Sequence, residues 1–292
     1  MSTLRDQGDQ GDQGDQGDQG DQGDQGAVGN MSGFGLSATR AASLPWGDLL
    51  LPVAEQRKRE KTVHDAKDVP LAFKPAPDAT FGIRSWSARY RVQAILSGFA
   101  ATDWADVTDP GPRPTLKVDE EIKLLMLLAA TDRRARYGEI LAQSENATPY
   151  WTNLLGVSPA AKSASAMLID VSLAVGQLVA MHFKLKYSAA RPFQYYPALM
   201  PPILTPPHAS YPNAHALQAL LTAACLRGVC PPHLHPEIDA LAHRIGYNRE
   251  LAGVHFAQDR HASEWMAPKV FGLLSGVPAY QNLVAQAGHE WP

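Results

Sequence analysis

The chain has 292 residues, a hydrophobic fraction of 45% and a formal charge of −3, enough apolar material for a sizeable core in one large domain or two small ones. Seven of its 29 acidic residues stand in Asp-Gln-Gly triplets at the start, and without them the rest is mildly basic; that does not by itself suggest a nucleic-acid partner and suits a site for a small anion. Two cysteines, Cys225 and Cys230, exclude a disulfide framework. They read as buried thiols at a helix end, with a metal cluster alongside His233 and His235 as the alternative.

The first residues carry no apolar core behind a basic start, so no signal peptide is expected. The strongly apolar run at 124–130 is far shorter than the roughly 18 residues a membrane span needs. The expectation is a soluble, cytoplasmic protein without a membrane span. Residues 6–26 repeat Asp-Gln-Gly and offer nothing apolar to bury, so 1–30 is expected to be a disordered tail, with a weak trimerisation or contact tail as the alternative. Residues 31–79 read as a mostly irregular N-terminal extension, whose QRKREK run at 56–61 is a solvated face.

From about residue 80 to 285 the pattern is helical. Apolar periodicity predicts helices over about 85–99 and 118–143, separated by PGPRP at 110–114. A long helix is predicted after Pro159 to about residue 186, with Met167, Val171, Ala174, Leu178 and Met181 on one face. Seven prolines between Pro192 and Pro212 then forbid continuous helix, and an irregular stretch of that length inside a domain tends to be functional. A helix should start near Asn213 and run over 214–226. Another should run over about 237–274, interrupted near Gly253. Strand-like alternation is scarce, so the fold class is all-α, a helical bundle.

Three separated segments hold unusual groups: KLKYSAARP with Lys184 and Arg191, PNAH with His215, and NRELAGVHFAQD with Arg249, His255 and Asp259. Lys184, Arg191 and Arg249 each stand beside apolar or proline-rich sequence. Three cations brought together repel one another unless an anion compensates, and arginine binds phosphate-like oxygens bidentately. A helix start near Asn213 adds N–H groups and a positive dipole end. His255 and Asp259, four apart, can pair on one helix face, leaving the other ring nitrogen as a nucleophile. His215 is then the acid and base. Arg249 and His255, six apart, share a side only if the helix breaks, and Gly253 offers the place. The bland alternative is a salt-bridge network; His182, His243, His261 and His289 are read as structural.

Together the segments resemble the signature of the superfamily of type-2 phosphatidic acid phosphatases, bacterial non-specific acid phosphatases and vanadium haloperoxidases (PAP2-like): Lys-x6-Arg-Pro, Pro-Ser-Gly-His, Ser-Arg-x5-His-x3-Asp. The matching positions are Lys184, Arg191 and Pro192; Pro212, Asn213, Ala214 and His215; and Asn248, Arg249, His255 and Asp259, with the spacings kept. Asn213, Ala214 and Asn248 stand where the pattern has Ser, Gly and Ser.

The resemblance implies a bundle of the PAP2/vanadium haloperoxidase type. Lys184, Arg191, Asn213, Ala214 and Arg249 then bind the oxyanion, and His208 and Asn248 support it from behind. In phosphatases of the group the position of His255 becomes phosphorylated, that of Asp259 orients it, and that of His215 is the acid and base, with no cofactor and a small phosphorylated substrate. In haloperoxidases the position of His255 is the vanadate ligand, and peroxide and halide are the substrates. RPF after the first motif resembles the phosphatases; His208 ahead of the second resembles bromide-oxidising haloperoxidases. The expected function is phosphoric monoester hydrolysis, with vanadate-dependent halide oxidation and non-catalytic phosphate or vanadate binding as alternatives. Homo-oligomers are common in the group.

Overall fold

The computed structural model describes residues 85–292; the predicted tail at 1–30 and the extension at 31–79 lie outside the described residues. Eleven α-helices follow one another, with no strand among the described residues. They are α1 (Ala88–Ala100), α2 (Trp104–Val107), α3 (Val118–Thr131), α4 (Arg133–Glu145), α5 (Thr148–Leu155), α6 (Ser163–Tyr187), α7 (Pro192–Tyr195), α8 (Ala214–Arg227), α9 (His235–Leu251), α10 (Ala257–Ser275) and α11 (Pro278–Gly288).

Helix α8 is the centre of the bundle and packs on α6, α9 and α10. Two glycines allow the close approach. A Cβ at Gly176 of α6 would sit 2.8 Å from Gln218 Cγ and 3.1 Å from Gln218 Cα, and one at Gly246 of α9 would sit 3.0 Å from Ala216 Cβ. Both contacts fall on the first half of α8, so the two neighbours are drawn in around the end that carries His215. The buried apolar side chains form three clusters. One joins α1, α6, α8, α10 and α11 around Phe99, Phe183, Leu217 and Met266. A second joins α5, α6, α8 and α9 around Trp151, Leu226 and Ile245. The third joins α3 and α4 to the end of α9 around Leu125, Ile140 and Leu251.

Helix α6 is apolar nearly all round, as expected of a helix enclosed by others. The segment Ser163–Tyr195 is long and apolar enough, by length and composition, to cross a membrane, where the sequence led to no expected span; 67% of its apolar window is buried inside the bundle, as in a core helix. Its start is capped from far away. The Glu290 carboxylate accepts hydrogen bonds from Ala164 N (2.8 Å), Ser165 N (2.8 Å) and Ser165 Oγ (2.7 Å), a negative group on a helix N-terminus. Lys162 lies over the Trp291 ring at 3.9 Å beside it.

The segment predicted as one helix over 118–143 is two, α3 and α4, meeting at Asp132. The break turns Arg133 inward, where its Nε donates to Leu251 O at 2.6 Å and its Nη1 to Leu199 O at 3.2 Å. Helices α5 and α11, not singled out from the sequence, begin with proline at a first-turn position, where its missing N–H costs nothing. Cys225 and Cys230 are free, buried thiols. Among the described residues no three His, Cys, Asp or Glu side chains cluster to hold a metal ion.

Candidate functional site

The site is built where two helix starts meet. Asn213 caps α8: its Oδ1 accepts from Ala216 N at 3.2 Å, and Ala214 and His215 are the first two helical residues. Gly253, at φ +76°, ends the run of α9 in the left-handed region that glycine tolerates, and α10 starts at Ala257. Backbone N–H of Asn213 donates to Asp259 O at 2.9 Å, and Ser263 Oγ donates to Asn213 O at 2.8 Å. The two N-termini are thereby stitched together, and the N–H groups of Ala214 and His215 are among those that helix geometry leaves without an intrahelical partner.

His255 and Asp259 do pair, but not across one helix face. His255 precedes α10, while Asp259 lies in its first turn. The Asp259 carboxylate turns back over the helix start: Oδ2 accepts from His255 Nδ1 (3.0 Å), Phe256 N (3.1 Å) and Ser210 Oγ (2.5 Å). Burial pushes the Asp259 carboxyl up, but the bonds from His255 and Ser210 and the charge of Arg113 outweigh it, and the group titrates below the usual carboxylate range. Desolvation, then the charges of Arg191 and Lys184, hold the His255 imidazole well below its ordinary range against the pull of Asp259. The neutral ring donates from Nδ1 and carries its lone pair on Nε2, which lies 3.4 Å from Arg191 Nη1.

The three cations of the motifs are all buried. Lys184, near the end of α6, donates to Ala209 O (2.7 Å) and Ser210 O (2.8 Å). Arg191 donates to His208 O (2.8 Å) and Val254 O (2.9 Å), so it ties the proline-rich stretch to the turn before His255. The His208 ring rests on the same guanidinium, Nδ1 to Nη2 3.1 Å. Arg249, 1% exposed, donates from Nη2 to Ile140 O at 3.1 Å, while its Nε and Nη1 are buried with no hydrogen-bond partner. Among the described residues no carboxylate lies within 4.0 Å of that guanidinium, and burial pushes it down to about 10.

His215 belongs to the same electrostatic neighbourhood. Its Nε2 faces Gln143 O at 3.3 Å, and on another side it borders a small cavity with Thr148, Trp151 and Gln218. The residue is only partly exposed. Burial first, then the field of Arg249, with smaller contributions from Lys184 and Arg191, pushes its imidazole down to about 3. The same Lys184 and Arg191 act on His255, so both histidines lie within the field of one cation group.

The remaining predicted residues have specific placements. Asn213 uses its side chain on the cap and on Gly246 O (Nδ2, 3.3 Å). Ala214 has negative φ and packs its methyl in the core, so its N–H keeps a helical orientation. Asn248 donates to Gln143 Oε1 at 2.9 Å. Three contributors were not assigned from the sequence: Ser210, Gln143 and Arg113, whose Nη1 stands 3.6 Å from Asp259 Oδ1. The serine was visible in SYP ahead of the second motif. The other two come from segments whose spacing carries no signal. Fold and site together define an all-α bundle in which His215 and the buried His255 both feel the charges of buried Lys184 and Arg191. No family model matches the chain, and no curated protein matches it.

Proposed function

We propose that the chain is a PAP2-like phosphoric monoester hydrolase whose pocket takes the phosphoryl group of a small molecule on Arg249, Lys184 and Arg191. The carrying observation is Arg249: a fully buried guanidinium with two unpaired donor nitrogens, Nε and Nη1, is costly unless a ligand completes it, and oxyanions fit a guanidinium fork. The His255–Asp259 pair supplies the nucleophile. His255 Nε2 attacks phosphorus, the bond to the leaving oxygen breaks, and His215 gives that oxygen its proton. His215 then takes a proton from water, whose oxygen attacks phosphorus as the P–N bond breaks. Burial and the cations hold His215 neutral. A phosphoryl dianion offsets that field and lets His215 carry the proton that the first step needs.

The second reading is vanadate-dependent halide oxidation. The same unpaired N–H groups of Arg249 fit vanadate oxygens, and the His208 ring on Arg191 (3.1 Å) favours this reading through the likeness noted in the sequence. Lys184, Arg191 and Arg249 would then hold the oxygens and His255 Nε2 the vanadium, a Lewis-acid centre for peroxide activation. One protein batch decides. Metal-free protein releasing phosphate from p-nitrophenyl phosphate, lost in His255→Ala, supports the hydrolase. Bromide oxidation by peroxide only after vanadate loading supports the second reading. Tight phosphate binding with neither activity overturns both in favour of a binding protein.

A further inference from the structure

Asp259 is shared unevenly. Its Oδ2 accepts from Ser210, His255 and Phe256, whereas Oδ1 is buried without a hydrogen-bond partner. The charge facing Oδ1 is Arg113, Nη1 at 3.6 Å, with the arginine side chain 9% exposed and the carboxylate fully buried. Among the described residues Arg113 is the only Lys or Arg within 4.0 Å of that carboxylate. The same nitrogen donates to Ala190 O at 2.8 Å, next to Arg191, and the guanidinium lies over the Phe256 ring at 5.2 Å, next to His255. Arg113 comes from the PGPRP stretch between α2 and α3 and belongs to none of the three motifs. Prolines on both sides restrict its backbone.

We infer that Arg113 is a positioning residue: it fixes the Asp259 carboxylate from the side opposite His255, so that Asp259 captures the His255 Nδ1–H and leaves Nε2 facing the oxyanion. A lone carboxylate in so dry a place is costly, and without a second cation it would draw on the imidazole for its counter-charge. Arg113 supplies that charge from outside the pocket, without touching the oxyanion and without making or breaking a bond. The assignment rests on the proposed hydrolase site for its catalytic meaning; its geometric premise, the captured Nδ1–H, stands apart from any activity. Beside Arg113 the surface opens into a depression lined by Pro112, Tyr187 and Tyr195, through which a small guanidinium can enter if the side chain is removed.

The test uses the full chain with Arg113→Ala and Arg113→Lys. With p-nitrophenyl phosphate, Arg113→Ala should lower kcat about 10–100-fold, the range for loss of a partner behind an active-site ligand, with KM little changed. Arg113→Lys, or methylguanidine added to the alanine variant, should restore part of the rate. Independently, proton NMR of the wild type should show a downfield Nδ1 proton of His255, assigned by its loss in His255→Asn. It should broaden or move upfield in Arg113→Ala and return with methylguanidine. A resonance unmoved by Arg113→Ala, or missing from the wild type, overturns the inference, as does a rate loss that neither lysine nor methylguanidine relieves. If the wild type hydrolyses nothing but the Nδ1 proton still follows Arg113, the hydrolase reading fails and the positioning role stands.

Discussion

Arg249 is held in a place that disfavours it: 1% exposed, two donors unpaired and its pKa pushed down to about 10 by burial. A group kept at such cost marks function more clearly than a satisfied one. Arg249→Met fills the same space without charge, so thermal or denaturant unfolding in phosphate-free buffer should show a gain of about 1–3 kcal/mol, as when buried charges give way to apolar groups. Calorimetric titration of that variant should show phosphate binding lost. A variant that is less stable and still binds phosphate would contradict the anion role. At this scale the sequence was informative where spacing carries chemistry. Lys184, Arg191, His215, Arg249, His255 and Asp259 stand at fixed intervals within three short segments. Arg113 and Gln143 were illegible because they reach the site only through tertiary packing, from segments 146 and 105 residues away from their partners in the third motif.

At the scale of elements, the site depends on how tightly α6 and α9 press on α8. Gly176 and Gly246 mark those approaches, and the neighbour at Gly176 includes backbone, 3.1 Å from the position of an added Cβ. Gly176→Ala should therefore destabilise the protein by about 1–3 kcal/mol, the cost of overpacking, measured by denaturant unfolding, despite the higher helix propensity of alanine. A neutral or stabilising outcome would show that α6 can retreat freely from α8. The helix break was readable from one residue, Gly253, which takes a left-handed turn between α9 and α10. The pairing of His255 with Asp259 was readable too, but its geometry was not. Four residues' separation fits one face of a helix and equally fits a carboxylate folding back over a helix start, and only the latter occurs. The split of 118–143 at Asp132 was hidden because apolar periodicity continues across the junction while Arg133 turns to the ends of other elements.

For the whole molecule, His215 links charge to stability. His215 titrates near 6.5 when unfolded and is pushed down to about 3 in the fold. The unfolded chain thus binds a proton the folded one refuses. The contribution is fully present above about pH 6.5 and is lost as pH falls toward 3. An oxyanion among the cations lifts the folded pKa and removes part of that loss. Sulfate, whose charge is constant over this range, should raise Tm more at pH 5.5 than at pH 8, with proton uptake on binding in calorimetry. Equal increments at both values would contradict the coupling. The all-α class followed from the scarcity of alternation, but the central place of α8 did not: its short, alanine-rich sequence gives no sign that three helices converge on it.

The Glu290 cap on α6 also sets a clock. Its carboxylate and Ser165 are 125 residues apart. At roughly 5–20 residues per second of synthesis, the start of α6 waits ~6–25 s for its cap after leaving the ribosome. During that interval the apolar circumference of α6 depends on whichever partners have already emerged, so the newborn chain carries a core helix still open at one end.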